Sequence, residues 1–117
     1  MRLVYVLDTA DITGAAAFWS AALGFDRAAP SPLYLTLSDP AGRWPDLLLQ
    51  EVPEHKAGKN RMHLDMVVAD LAAETERLTA LGAVRRRAPF EEMGHRLAVL
   101  ADPEGNEFCV VQRIGDD

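Results

Sequence analysis

His63 stands between Arg61 and Asp65 at two-residue spacing. In an extended segment those three side chains share one face, because successive strand residues point to opposite sides. The face then carries a base, a carboxylate that can orient it or itself take a proton, and a planar cationic fork for an anionic group. Each has a plainer reading: a hydrogen-bonded structural histidine, a solvated or salt-bridged carboxylate, and an arginine paired with Asp65 or Glu107. Cys109 alternates with Glu107 and Val111 on one strand face, while Phe108 and Val110 take the other. A lone cysteine usually behaves as a small buried hydrophobe, and nothing beside it in sequence activates a thiolate. Trp44, in the loop Gly42-Arg43-Trp44-Pro45, has no periodic partner and fits either a stacking platform for a planar ligand or loop packing. His95, next to Gly94 and Arg96, suits a pocket rim or a turn. The run Arg85-Arg86-Arg87 reads as a solvated strand edge.

The elements that must hold these residues occur twice. Strand-like runs cover Leu3 to Leu7 and Met62 to Val68, with Met62, Leu64, Met66 and Val68 forming an apolar face that should meet a helix. Each run leads into a helical stretch: Asp11-Ile12 through Ala22-Leu23-Gly24, and Asp70-Leu71 through Ala80-Leu81-Gly82. Ile12, Ala15, Ala16, Trp19 and Leu23 share one helical face, as do Leu71, Thr75, Leu78 and Leu81. Asp11 and Asp70 stand at N-cap positions, and Gly24 and Gly82 where a helix closes in a left-handed conformation.

Further strand-like runs follow each helix, Leu33 to Leu37 and Leu47 to Val52, then Leu97 to Leu100 and Phe108 to Val111. A D-P-x-G turn recurs at Asp39-Pro40-Ala41-Gly42 and Asp102-Pro103-Glu104-Gly105, with Pro and Gly where a type I turn takes them. Matching turns in matching places argue for internal duplication. The expected organisation is a single domain over 1–117, with module 1 at about 1–53, a polar linker at about 54–60 and module 2 at about 61–113.

Composition narrows the function. With 117 residues, 49% of them hydrophobic, the chain has the size of one globular domain with a real core. A net charge of −6 without a long basic run disfavours nucleic acid and anionic membranes as partners. The only cysteine allows no intrachain disulfide, so a cytoplasmic location is expected. The N-terminal LVYVL run lacks the pattern of a signal peptide. The longest mostly apolar stretch, Ala15 to Phe25, is too short to cross a bilayer.

Phe18-Trp19 with Leu23-Gly24, Lys59-Asn60-Arg61-Met62-His63-Leu64-Asp65 and Asp102-Pro103-Glu104-Gly105-Asn106-Glu107-Phe108-Cys109 together resemble the vicinal oxygen chelate superfamily of glyoxalase, bleomycin-resistance and dioxygenase proteins. The resemblance runs from about Arg2 to Gln112 and is strongest to the glyoxalase-like branch. It implies an α+β fold in which two βαβββ modules form a curled, cup-like mixed sheet with helices outside and a ligand within. In metal-dependent members four side chains, from the first and last strands of each module, hold a divalent ion that acts as a Lewis acid. Carried over residue by residue, His63 matches the first-strand ligand of module 2, and Val4 takes its place in module 1. Cys109 stands where those members place Glu, and the last counterpart falls near Gln50, beside the inserted segment Arg43 to Asp46.

That set offers at most three donors, so no cofactor and no catalytic metal of the glyoxalase kind are expected, although an imidazole and a thiolate could capture zinc adventitiously. The resemblance therefore points to a small-molecule-binding protein, with His63 and Asp65 as catalytic candidates and Gln50, Arg61, Trp44 and Cys109 as ligand contacts. A metal-dependent lyase or dioxygenase, and an antibiotic-sequestering protein of the bleomycin-resistance type, are the alternatives. A homodimer is expected on the same ground.

Overall fold

The computed structural model describes residues 2–58, 60 and 62–114. The chain divides into two compact units, Met1–Ala57 and Gly58–Asp117.

In the first unit the order is β1 (Val4–Thr9), α1 (Ile12–Leu23), β2 (Asp26–Arg27), β3 (Tyr34–Ser38) and β4 (Asp46–Glu51). The sheet order is β1-β4-β3-β2, with β1 parallel to β4 and the other pairs antiparallel. In the second unit β5 (Asp65–Val67), α2 (Leu71–Ala80), β6 (Val84–Glu92), β7 (His95–Ala101) and β8 (Glu107–Arg113) repeat the order. Their sheet, β5-β8-β7-β6, again sets the first strand parallel to the last. The α+β class and the doubled βαβββ plan follow directly. Among the described residues, no helix is long and apolar enough to cross a membrane.

Local chemistry explains where the helices begin and stop. The Asp11 carboxylate accepts the Gly14 N–H at 3.1 Å, and Asp70 accepts that of Ala73 at 3.1 Å, satisfying N–H groups that have no partner within a first helical turn. Gly24 closes α1 at φ 71°, a left-handed conformation that a side chain would oppose. Gly82, at φ 117°, ends α2 in a Schellman motif: the Ala83 N–H bonds Leu78 O at 3.0 Å and the Gly82 N–H bonds Thr79 O at 3.1 Å.

Helix α1 lays Ala15, Ala16, Trp19 and Ala22 against β3 and β4, whose Leu35, Leu37, Leu47 and Leu49 are buried. Helix α2 does the same with Leu71, Thr75 and Leu78 over β7 and β8, where Ala98, Leu100, Phe108 and Val110 are buried. Burying a large aliphatic or aromatic side chain is worth about 1.5–3 kcal/mol, so these two layers drive folding. The alternate residues of each strand are left on the face away from the helix.

Both D-P-x-G turns close with the expected bond, Gly42 N–H to Asp39 O and Gly105 N–H to Asp102 O, each 2.9 Å. The Asp39 carboxyl lies below its usual pKa, chiefly through the Ala41 N–H and, against some desolvation, the Arg43 N–H and guanidinium. The folded turn thus keeps it ionised to lower pH than the unfolded chain does. Its stabilisation is present above the ordinary aspartate range and fades as pH falls through the lowered value. The second copy is deeper: Asp102, 2% exposed, accepts the backbone N–H groups of Glu104 and Asn106 and the Asn106 side-chain amide.

Two expectations need correction. The first strand of module 2 is shorter than Met62 to Val68, and Met62 is 69% exposed rather than packed on a helix. Among the described residues, β5 stands at the edge of its sheet with β8 as its neighbour. Its ladder toward the N-terminus ends at the Leu64 carbonyl, which accepts the Cys109 N–H at 2.9 Å. The Arg85 to Arg87 run does lie on an edge strand, β6, where register shifts flank Arg87 and Pro89 offers no N–H to a neighbour.

Asp102→Ala should lower unfolding stability by about 2–4 kcal/mol, since each buried donor left unmatched costs about 1–3 kcal/mol. Urea unfolding should show a larger loss than Asp39→Ala produces. Thr75→Val should raise stability by about 1 kcal/mol, because the buried Thr75 hydroxyl has no hydrogen-bond partner among the described residues. A lowered melting temperature for Thr75→Val would contradict that account.

Candidate functional site

The parallel pairing of β5 with β8 makes Asp65 the Cα partner of Cys109. The two side chains therefore stand on the same face, and Phe108 and Val110 turn to α2. His63, two residues before Asp65, brings its Nε2 to 3.2 Å from Asp65 Oδ1. Donor atoms of His63, Asp65 and Cys109 all lie within 4.8 Å of one another. The His63 and Asp65 side chains are each 50% exposed, so solutes can reach them.

Desolvation raises the Cys109 pKa above its ordinary value, and the Asp65 carboxylate adds to the rise through its charge and by accepting the thiol hydrogen. Glu107 contributes in the same direction. Cys109 is therefore a protonated thiol at neutral pH and a poor nucleophile as it stands. The unfolded thiol ionises first, so stability declines as pH rises past the ordinary cysteine range. Asp65 is the common acceptor of the site. A neutral His63 that donates Nε2–H to it presents Nδ1 as a free lone pair.

Three residues expected at the site are thus brought together. Arg61 lies outside the described residues. Gln50 and Trp44 belong to the first unit. Gln50 stands in β4 between its partners Asp8 in β1 and Tyr34 in β3, on the face turned away from α1. Asp8 and Tyr34 were not singled out from the sequence, because their place beside Gln50 depends on a register that crosses three strands. Trp44 is 62% exposed in its loop. His95 opens β7 directly after a turn: its Nδ1–H donates to Met93 O at 3.1 Å, beside a hairpin tip where Met93 and Gly94 have φ of 49° and 76°.

A family model for the glyoxalase-like domain matches residues 4–111. The chain belongs to the glyoxalase-like domain family. Solved structures agree on the fold of this glyoxalase-like protein. A glyoxalase/bleomycin resistance protein/dioxygenase family enzyme from Burkholderia phytofirmans PsJN superposes with a TM-score of 0.79 at 22% identity, covering 95% of this chain and 97% of that one. A glyoxalase/bleomycin resistance protein/dioxygenase from Nocardioides gives 0.79 at 17% identity over 100% and 85% of the two chains. TioX from Micromonospora sp. ML1 gives 0.68 at 18% identity over 97% and 99%. No curated protein matches the sequence significantly.

Strand register now refines the comparison with the metal-holding positions of this superfamily. The N-caps Asp11 and Asp70 align Asp65 with Val6, and Val6 pairs with Leu48 as Asp65 pairs with Cys109. The module 1 counterpart of Cys109 is therefore Leu48 and not Gln50. Leu48 stands nine residues after Asp39 and Cys109 seven after Asp102, so the segment inserted after the Asp39 turn adds two residues, and taking it as the four from Arg43 to Asp46 overshoots by two. The four positions of the glyoxalase-like protein read Val4, Leu48, His63 and Cys109, and the two in module 1 are hydrocarbon. Residues of this kind do not fit an ion held by four side chains.

Asp65→Asn should lower the Cys109 pKa and speed its alkylation by iodoacetamide at a fixed alkaline pH. The wild-type profile of rate against pH should have its midpoint above that of a free cysteine. An unchanged rate in the variant would show that Asp65 does not hold the thiol proton.

Proposed function

We propose that this glyoxalase-like protein binds a small molecule at the polar centre of its second module and does so without the four-ligand ion of the superfamily's metalloenzymes. The observation that carries this reading is the His63–Asp65 pair, 3.2 Å apart and half exposed, with Cys109 beside it. Asp65 fixes the imidazole tautomer, and Nδ1 accepts an N–H or O–H of the ligand or takes its proton. Such geometry suits a ligand with an acidic hydrogen. With Val4 and Leu48 in two of the four metal positions, a lyase or dioxygenase that relies on those positions is disfavoured.

A second reading, an antibiotic-sequestering protein, draws on the exposed Trp44, a surface on which a planar molecule can stack, and on the −6 charge, which favours a cationic one. We take the protein to act in the cytoplasm as a homodimer. The exposed apolar residues Val4, Tyr5 and Val6 of the edge strand β1, with Leu3 just before it, support a second copy there.

A thermal-shift screen tests the reading, because a ligand that favours the native state raises stability by about 2.7 kcal/mol at a hundredfold excess over its Kd. Compounds with an acidic N–H or O–H should raise the melting temperature of the wild type, and His63→Ala and Asp65→Asn should each abolish the shift. Hits that shift all three proteins equally would overturn the assignment, whereas hits lost only in Trp44→Ala would favour the second reading.

A further inference from the structure

We propose that Arg87, stacked on Phe90, makes the second module selective for a monocarboxylate, with the carboxylate on the guanidinium and an apolar body lying across the sheet toward His63 and Asp65. Strand register carries the inference. Arg87 is the Cα partner of Val99, Val99 of Cys109, and Cys109 of Asp65. Partners on adjacent strands point to the same side of a sheet. One row of side chains therefore crosses all four strands on the face turned away from α2. It begins in a carboxylate and ends in a guanidinium, with about 14 Å between their backbones at the usual strand spacing.

The next row starts at Phe90, whose partner is Leu97, and runs through Val111 to Val67. In a regular strand Phe90, three positions after Arg87, would take the opposite face. A register shift prevents that: three steps along β6 match two along β7, so both side chains reach the open face. Arg87 Cζ accordingly stands 3.7 Å from the Phe90 ring centroid. The neighbouring arginine is aimed elsewhere, because Arg85 is the partner of Leu100, which is buried on the α2 side.

The stack covers one flat side of the guanidinium and leaves its N–H edge to a ligand. Arg87 is exposed and takes part in none of the ion pairs among the described residues. An aromatic platform orients the fork without using its donors, and the fork matches an oxyanion bidentately. Leu97, Val99 and Val111 lie between the two polar ends and give the ligand's body an apolar floor. Charge narrows the oxyanion to a singly negative one. A phosphate monoester carries about −1.5 to −2 at neutral pH. One guanidinium offsets a single charge, and Asp65 and Glu107 on the same face, in a chain of net charge −6, repel the rest. The inference rests on the proposed function only for the ligand's far end.

Three naphthalene probes separate the two ends. 2-Naphthoate carries a carboxylate and no acidic hydrogen, 2-naphthol an acidic O–H and no carboxylate, and methyl 2-naphthoate neither. NMR titration of the full chain gives each Kd, and the Arg87 Nε–H resonance reports the place of contact. Wild type should bind 2-naphthoate about 10-fold more tightly than the ester, as expected for hydrogen bonds between charged groups, and the Arg87 resonance should shift. Arg87→Gln should lose that preference and bind the ester unchanged. Arg87→Lys, which keeps the charge without the fork, should fall between, and Arg85→Gln should titrate as wild type.

Wild type that fails to bind 2-naphthoate or binds the ester equally well would overturn the inference, as would Arg87→Gln retaining full affinity or Arg85→Gln losing as much. 2-Naphthol should weaken in Asp65→Asn and ignore Arg87→Gln. If Asp65→Asn leaves 2-naphthol unaffected while the Arg87 results hold, the proposed function loses its centre and the carboxylate contact stands. The reverse pattern sinks this inference alone.

Discussion

In each module the first strand runs parallel to the last, and that pairing decides which side chains meet. A parallel ladder between strands at opposite ends of a module needs the intervening helix to cross the sheet, so α1 and α2 are fixed by the same constraint that aligns β1 with β4 and β5 with β8. Burial of one sheet face under the helix then leaves the other face to polar chemistry. Asp65 and Cys109 touch because of register, although they are far apart in sequence.

The two modules keep one plan and differ in how deeply it is embedded. Asp39 and Asp102 close equivalent turns, yet only Asp102 is enclosed with an asparagine amide as partner. Helix α2 is also tied to its sheet by the Gln112 side chain, which accepts the Leu71 N–H at 2.7 Å beside the Asp70 cap. Module 2, which carries the candidate site, thus has its helix start and its turn both anchored by side chains from or next to β8.

Much of the fold was legible because its signals are local. A carboxylate three residues before the N–H it caps, a glycine at a helix end and a D-P-x-G turn are each written within a few residues. Counting from those markers placed Cys109 within β8, whereas His63 lies two residues before β5 begins. In module 1 it missed, because reading Arg43 to Asp46 as a four-residue insertion pointed to Gln50, while the strand register matches Cys109 with Leu48. The alternation from Met62 to Val68 suggested a longer strand than forms, since a periodic pattern does not say whether a neighbour exists to pair with it. The contact of Asp65 with Cys109, and the row Asp8, Gln50 and Tyr34, depend on pairings between strands that no short window contains.

Confinement of the three donors to one module has an evolutionary consequence. After duplication, a centre whose ligands were split between repeats would bind both copies to a common selection, because loss in either would disable it. Here the imidazole, carboxylate and thiol descend from a single repeat, so its sister is released to drift in lining and loop length. The insertion after Asp39 and the hydrocarbon side chains of Val4 and Leu48 are the kind of divergence such freedom permits.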